Sequence, residues 1–374
     1  MTVRVLFVVP HLSGSMRLLA TILRHLRRDQ FVATLLVLGQ DLTLKDEFPD
    51  EILIQGTAGG AGIGARLCTI GAVVRAARDQ DLIIAWAELT PTYLTAIAGR
   101  IVGKPVIGWV HIHLSMIFGY GLRPAWAHRR IMKLIYPRLD RVVGVSATVC
   151  RDLEQEFALG NVTDIPNSID LDFVRGAAKE SSVAPGPGRL PRPLLVAMGV
   201  LCFQKGFDNL IAAHARVRAA GIAHDLVILG EGEAAGALQA LARDLAVSDS
   251  VHFRGHLKNP YPVIASADGF VLSSRFEGFA LVVAEALALG VPVIATRVAG
   301  PDEILDGGRY GPLVAVDDVD GLAAEMKRLL TDDAWHGSLK QSAVTAAERY
   351  DCRSVVPQIE ALFESVLAQS SYRR

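Results

Sequence analysis

At 374 residues, with 51% hydrophobic and 21% charged side chains and a mean hydropathy of +0.33, the chain is longer than one hydrophobic core organises and predicts two domains. That composition excludes a disordered chain, a collagen-like repeat and a coiled coil. The net charge of −1 hides an asymmetry: residues 89–139 hold seven Lys and Arg and no Asp or Glu, so an anionic partner would be drawn there.

The opening run Val3–Val9, rich in valine, predicts a strand buried on both faces of a parallel sheet. A small-residue turn follows, then a periodic stretch Leu18–Leu26 that predicts a helix. The alternation recurs at 33–38, 82–86 (followed by a helix from about Thr90), 106–111 and 142–145, where Ser146 has the chemistry of a helix cap. Between Lys179 and Pro193 the pattern collapses into a Pro/Gly-rich segment that holds neither helix nor central strand. A second series then begins: 194–198, 225–229, 251–253, 269–272 and 291–295. The expected division is therefore 1–185 and 186–374, joined by a linker at about 179–193. A last helix over about 357–368 has no position assigned by sequence, with the first domain one place for it to pack. Two wound α/β domains imply a site beyond the carboxyl ends of their strands.

Cys68, Cys150, Cys202 and Cys352 lie too far apart for a zinc knuckle or a disulfide framework. The apolar part of residues 1–10 is too short for a signal-peptide core, and no run approaches the roughly 20 residues of a spanning helix. The expectation is a cytoplasmic protein with reduced thiols. Within the basic stretch, Trp126, Ile131, Met132, Leu134, Ile135 and Tyr136 alternate with Arg123, Arg129, Arg130 and Lys133. Such a helix reads either as a solvated basic face or as one that lies on an anionic bilayer. No recognition motif for nucleic acid accompanies it.

A nicotinamide dehydrogenase would need G-x-G-x-x-G directly after a strand. The turn after the first strand has only Gly14; the 59–64 run has no strong strand before it; Gly230-Glu-Gly232 carries acids that would repel a pyrophosphate. The informative segment is Ser273-Ser-Arg-Phe-Glu277-Gly-Phe-Ala-Leu-Val-Val-Ala-Glu285. Glu277 lies in a turn after a strand and Glu285 about two helical turns on, in an otherwise apolar helix. A carboxylate there needs donors, which sugar and ribose hydroxyls supply, and the helix N-terminus suits a phosphate. The bland alternative makes Glu277 a helix cap and Glu285 the partner of a buried Arg. Asp318-Val-Asp320 precedes a helical run and reads as a cap rather than a metal clamp.

Glu277 to Glu285 resembles the E-x7-E motif of retaining GT-B glycosyltransferases of family 4, of the bacterial envelope type. Further matches run along most of the chain. Gly199-Val-Leu-Cys-Phe-Gln-Lys205-Gly206 resembles the G-R-L-x-x-x-K-G loop, and 165–170 the N-G-hydrophobic-D turn. The 106–111 strand ending in histidine, the Ser13-Gly14-Ser-Met-Arg17 loop, and 291–296 with Gly300 and Glu303 complete the set. The resemblance implies two Rossmann-like domains facing across a cleft and a nucleoside-diphosphate sugar as donor substrate, without cofactor or metal. It implies that Glu277 and the backbone at Gly278 and Phe279 hold the sugar and that Glu285 holds the ribose. Lys205, with the helix start at Ala280 and Leu281, would bind the diphosphate. Leu257 and its neighbours would flank the base, Gly14 and Gly199 would let loops approach, and His111 would lie near the transferred sugar, with His113 the competitor.

Three positions depart from that pattern: Val200 stands at the loop arginine, Ser13 at a glycine, Ser168 at a glycine. A lost charge-assisted phosphate contact is worth about 1.5–3 kcal/mol, and Arg275 and Arg297 are the substitutes by position. The expected function is transfer of a hexosyl or N-acetylhexosaminyl group, from UDP-sugar first and GDP-sugar next. The expected acceptor is a glycan or lipid-linked hydroxyl on the inner face of the membrane. A non-catalytic sugar-nucleotide-binding subunit is the alternative, with a phosphorylase or epimerase on the same fold behind it.

Overall fold

The computed structural model describes residues 2–12, 16–57, 63–120, 124–180 and 193–372. Ser13, Gly14, Arg123, most of the 59–64 glycine run and the 181–192 part of the Pro/Gly segment lie outside them. The chain divides into one unit of residues 1–168 with 352–374 and a second of residues 169–351.

The first unit is built on a parallel seven-stranded sheet: β1 Val3–Val9, β2 Phe31–Val37, β3 Leu53–Gly56, β4 Leu82–Ala85, β5 Val106–Val110, β6 Arg141–Gly144 and β7 Val162–Asp164. Their spatial order is β3-β2-β1-β4-β5-β6-β7. β1 is an interior strand, its last five residues buried and its Val5 in register between Ala33 and Leu82. Apolar residues on both faces demand helices on both faces, which the crossovers supply. Ser146 caps the helix Ala147–Phe157, its side chain accepting the Val149 N–H at 3.2 Å.

The second unit carries a parallel six-stranded sheet: β8 Leu194–Met198, β9 Asp225–Leu229, β10 Val251–Phe253, β11 Gly269–Leu272, β12 Val293–Thr296 and β13 Leu313–Val314, in the order β10-β9-β8-β11-β12-β13. Here Val196 of β8 pairs with Val227 on one side and Phe270 on the other. Each sheet thus reverses its winding beside one strand: between β1 and β4 in the first unit, between β8 and β11 in the second. Loops leaving the carboxyl ends of strands at such a reversal splay apart and leave a crevice.

The division between units differs from the expected 185/186 boundary. Residues 169–177 belong with the second unit, where Asp170 caps the helix Leu171–Ala177 and Arg175 donates to the Ala288 carbonyl at 3.1 Å. The last helix, Cys352–Tyr372, belongs with the first unit. Buried Glu360 accepts both the Arg27 backbone N–H (2.7 Å) and its Nε (2.6 Å), and the Phe363 ring packs edge-on against Phe31 and Phe7.

Phe363 is fully buried, so Phe363→Ala should cost the first unit about 3–5 kcal/mol. Urea unfolding followed by tryptophan fluorescence checks this, since the buried reporters Trp86 and Trp109 both lie in that unit.

Candidate active site

In the second unit the loop after β8 and the loop after β11 flank the point where the winding reverses. The first loop runs through Gly199 and Val200 to a 3-10 turn, Phe203–Lys205, and Gly206. Gly206 has φ +60, and a Cβ there would collide with the Ser273 carbonyl, so only glycine lets the loops close on each other. Hydrogen bonds then lace them. Arg275 N–H donates to the Gln204 carbonyl at 2.7 Å and Gln204 Nε2 to the Phe276 carbonyl at 2.9 Å. Ser273 Oγ donates to the Lys205 carbonyl at 2.9 Å, and Lys205 Nζ to Glu277 Oε1 at 2.5 Å.

That last contact is the chemical centre of the unit. Ser274 Oγ donates to the same carboxylate oxygen at 2.7 Å, and Thr296 Oγ1 donates to the Ser274 carbonyl at 2.5 Å. Glu277 is 8% exposed and Lys205 18%, so both charges are largely desolvated and each depends on the other. Gly199 stands where a Cβ would press on the aliphatic stem of Lys205 at 3.3 Å. Glu277 caps no helix: that place is taken by Ala280, which has φ 66, ψ 65 and no capping side chain. A left-handed alanine is strained by roughly 1–2 kcal/mol. It persists because Phe279 is pinned, its ring against Tyr350 at 5.1 Å and its backbone against Gly300, where a Cβ would collide. The helix Leu281–Ala288 therefore begins abruptly after Gly278 and Phe279, its first turn uncapped by side chains. Glu285, two turns on, accepts from the Tyr261 hydroxyl at 3.0 Å. Leu257 is half-buried in the loop after β10.

Both arginines expected as phosphate substitutes are paired with carboxylates. The Arg275 guanidinium, 9% exposed, is held by Asp208 (2.7 and 3.0 Å), Asp317 (2.8 Å) and the Phe203 carbonyl (2.8 Å), and it stacks on the Phe203 ring at 4.2 Å. Its charge is matched by two carboxylates. Arg297 is paired with Asp302 at 2.6 Å, in the open. Asp318 caps the helix Val319–Thr331, and Asp320 pairs with Arg216.

In the first unit, His111 directly follows β5, and Trp86, Glu88 and Leu89 follow β4. The His111 ring packs edge-on against Trp86 at 5.1 Å and its Nε2 is buried with no partner among the described residues, while the His111 backbone N–H donates to Glu88 Oε2 at 3.4 Å. Burial pushes His111 down to about 4 and pushes Glu88 up, backbone N–H groups opposing the latter. His113 is also lowered by burial, against the pull of Asp152, whose carboxylate caps the turn at Leu114 and Ser115. Neutral His111 at neutral pH offers a lone pair or one N–H, not a cation. Sequence reasoning missed Ser274, Tyr261, Glu88 and Asp152. Ser274 has a local signal, three residues before Glu277; the others reach their partners only through the fold.

On the basic stretch, Arg130, Ile131, Lys133 and Leu134 are exposed on the helix Ala125–Ile135, and Trp126 is 65% exposed. Arg129 is less available, stacked over Phe118 and Phe157 at 5.2 and 5.7 Å. No helix of the described residues is long and apolar enough to cross a membrane.

Residues 12–173 match the family model Glycosyltransferase Family 4, and residues 192–332 match Glycosyl transferases group 1. A curated relative from Campylobacter jejuni is named N-acetylgalactosamine-N,N'-diacetylbacillosaminyl-diphospho-undecaprenol 4-alpha-N-acetylgalactosaminyltransferase. It is 31% identical over 224 residues, 59% of each chain. The lipopolysaccharide core biosynthesis glycosyltransferase LpsE of Rhizobium meliloti is 37% identical over 142 residues, 38% of this chain and 41% of that one. The matches thus span less than two thirds of either relative. The crystal structure of Anabaena Alr3699/HepE in complex with UDP superposes with a TM-score of 0.80 at 19% identity, covering 97% of this chain and all of that one. At that identity the likeness shows the fold, which is GT-B.

A His111 that resists protonation has a signed consequence. Between pH 6.5 and about 4 the unfolded chain binds the proton that the folded chain refuses, so stability falls as pH drops, by about 3 kcal/mol at the limit. Glu88 works the other way, favouring the fold while it keeps its proton. His111→Gln should therefore flatten the acid limb of a stability-versus-pH curve, measured by urea unfolding from pH 7 to 4.

Proposed function

We propose that this chain, whose two halves match Glycosyltransferase Family 4 and Glycosyl transferases group 1 on a GT-B fold, is a retaining glycosyltransferase. It moves a hexosyl or N-acetylhexosaminyl group from a nucleoside-diphosphate sugar, UDP first, to a hydroxyl of a membrane-associated glycan or lipid-linked acceptor. The observation that carries this reading is the Lys205–Glu277 contact at the winding reversal, with Glu285 two turns beyond it. A nearly buried carboxylate accepts sugar hydroxyls in place of the Ser274 and Lys205 donors, and the ammonium then turns to the diphosphate as charge develops on the leaving group. The uncapped start of Leu281–Ala288 adds backbone N–H groups and the positive end of a helix dipole. The acceptor class is supported by the diphospho-undecaprenol and lipopolysaccharide-core names of the two relatives, and the nucleotide class by the UDP in the Anabaena structure.

Retention needs no covalent intermediate in this reading. Glu277 is the acid assigned to the sugar in this reading, and its Lys205 and Ser274 bonds suit a holder of hydroxyls rather than a nucleophile. A screen of donor hydrolysis over UDP-, GDP- and ADP-sugars should find one turned over, with EDTA without effect. Glu277→Ala and Lys205→Ala should each lower the rate at least ~100-fold. Binding without turnover in the wild type, under every acceptor tried, would instead favour a sugar-nucleotide-binding subunit, which Val200 and the already paired Arg275 make the leading rival.

Membrane association on the inner, cytoplasmic face belongs to the same proposal, through the exposed Trp126, Arg130, Ile131, Lys133 and Leu134. Flotation with anionic liposomes at low salt should retain the protein, and Arg129→Gln/Arg130→Gln/Lys133→Gln should release it; a triple variant that still floats contradicts this part alone.

A further inference from the structure

The opposite edge of the first sheet, at the amino ends of β5 and β6, carries a pocket of about 440 Å³. Its walls are the helix Thr90–Val102, the segment from Ile135 to Asp140 and, on one side, Ser370 of the last helix. In a wound sheet the reacting ligands gather at the carboxyl ends, where β5 delivers His111. The pocket lies a whole strand length away, roughly 16 Å for five residues, and belongs to no part of the site described above.

Its chemistry is two-sided. Ile97, Val106, Ile135 and Leu139 make an apolar wall, while Arg100, Lys104 and Arg138 stand among the lining residues. Asp140 is the one acid in the lining, and its carboxylate is turned into the backbone, accepting the Val106 N–H at 2.9 Å. Lys104 is only loosely tied, 3.9 Å from Asp81. Arg100 has no hydrogen-bond or ion-pair partner among the described residues. Gly103, left-handed at φ +68, has open space where a side chain would stand, so nothing narrows the approach there. On neighbouring surface Ile101 and Leu134 are 61% and 59% exposed. Three cations with little opposing acid, Lys104 alone tied and that loosely, beside an apolar wall with more apolar side chains displayed nearby, match an anion joined to a hydrocarbon chain. A free phosphate would leave the wall unused, and a neutral lipid would leave Arg100 unmatched and Arg138 with only the Leu134 carbonyl.

We propose that this pocket binds an anionic phospholipid, its headgroup phosphate on Arg100, Lys104 and Arg138 and the first methylenes of an acyl chain on Ile97, Ile135 and Leu139. Only the choice of a membrane as the source of the ligand rests on the function proposed above; the pocket chemistry does not.

The test uses the full chain and dihexanoyl-phosphatidylglycerol below its micelle concentration, titrated by calorimetry beside dihexanoyl-phosphatidylcholine and inorganic phosphate. Saturable binding of the glycerol lipid alone is expected, weakened at least ~10-fold in Arg100→Gln/Arg138→Gln, two exposed positions whose replacement should leave the melting temperature unchanged. No saturable binding overturns the proposal. So does equal binding of the choline lipid, equal binding of phosphate, or binding indifferent to the double variant. The Arg129/Arg130/Lys133 triple variant separates the two readings. If it loses vesicle binding yet keeps the short-chain lipid, both stand; if the wild type ignores vesicles yet binds the short-chain lipid through Arg100 and Arg138, the pocket stands and the membrane-surface acceptor falls.

Discussion

A single ammonium–carboxylate contact organises the second unit. Lys205 and Glu277 sit on loops leaving β8 and β11, the two strands between which the sheet reverses its winding. Their 2.5 Å contact closes a lattice of backbone and hydroxyl bonds at a position where neither charge is well hydrated. Removing either partner would leave the other charge buried and alone, which costs far more than the pair itself contributes. The surrounding sequence protects the contact sterically as well as electrically. Gly206 permits the close approach to Ser273, and Gly300 admits the Phe279 backbone. Phe279 in turn forces Ala280 into the left-handed turn that starts the Glu285 helix.

The fold is most legible in the sequence where burial is complete. β1, β8, β9 and β11 begin and end where their valine-, leucine- and isoleucine-rich runs do, because a strand covered on both faces must be largely apolar. β3, β7 and β13 escape such a reading. Each lies at a sheet edge or is only two to four residues long, with half-buried or exposed positions that leave no periodic signal. The cluster of Lys205, Glu277 and Glu285 is legible because one short motif carries both acids and a second carries the lysine. Tyr261 and Glu88 are not, since each reaches its partner, Glu285 or His111, from more than twenty residues away. The pairing of Arg275 is equally hidden in the sequence, since Asp208 and Asp317 reach it from distant segments.

The polarity of a parallel sheet separates the first unit into two chemistries. At the carboxyl ends, burial holds His111 neutral and raises Glu88, while the Asp152 carboxylate is turned onto backbone N–H groups. At the amino ends, Arg100, Lys104 and Arg138 surround an apolar wall with little opposing acid. The acid-free interval of residues 89–139 thus serves two surfaces, since its helices run from one edge of the sheet to the other. A count of charges along the chain cannot resolve that division.

The loop cation that is absent at Val200 can be weighed against what the second unit retains. Val200 is 60% exposed and supplies no donor, and both neighbouring arginines are paired with carboxylates. Lys205 is then the one cation of the 199–206 loop, and it is already held by Glu277. A diphosphate entering beside Lys205 would exchange one anionic partner for another, an almost neutral step for the lysine, while the freed carboxylate gains sugar hydroxyls as donors. Most of the remaining attraction must come from backbone N–H groups at the uncapped start of Leu281–Ala288, whose positive end is fixed by the strained Ala280 turn. Such dipoles need no reorganisation as charge develops on the leaving phosphate. A site short of one arginine can therefore still favour the departing diphosphate, provided that Phe279 and Gly300 hold that turn in place.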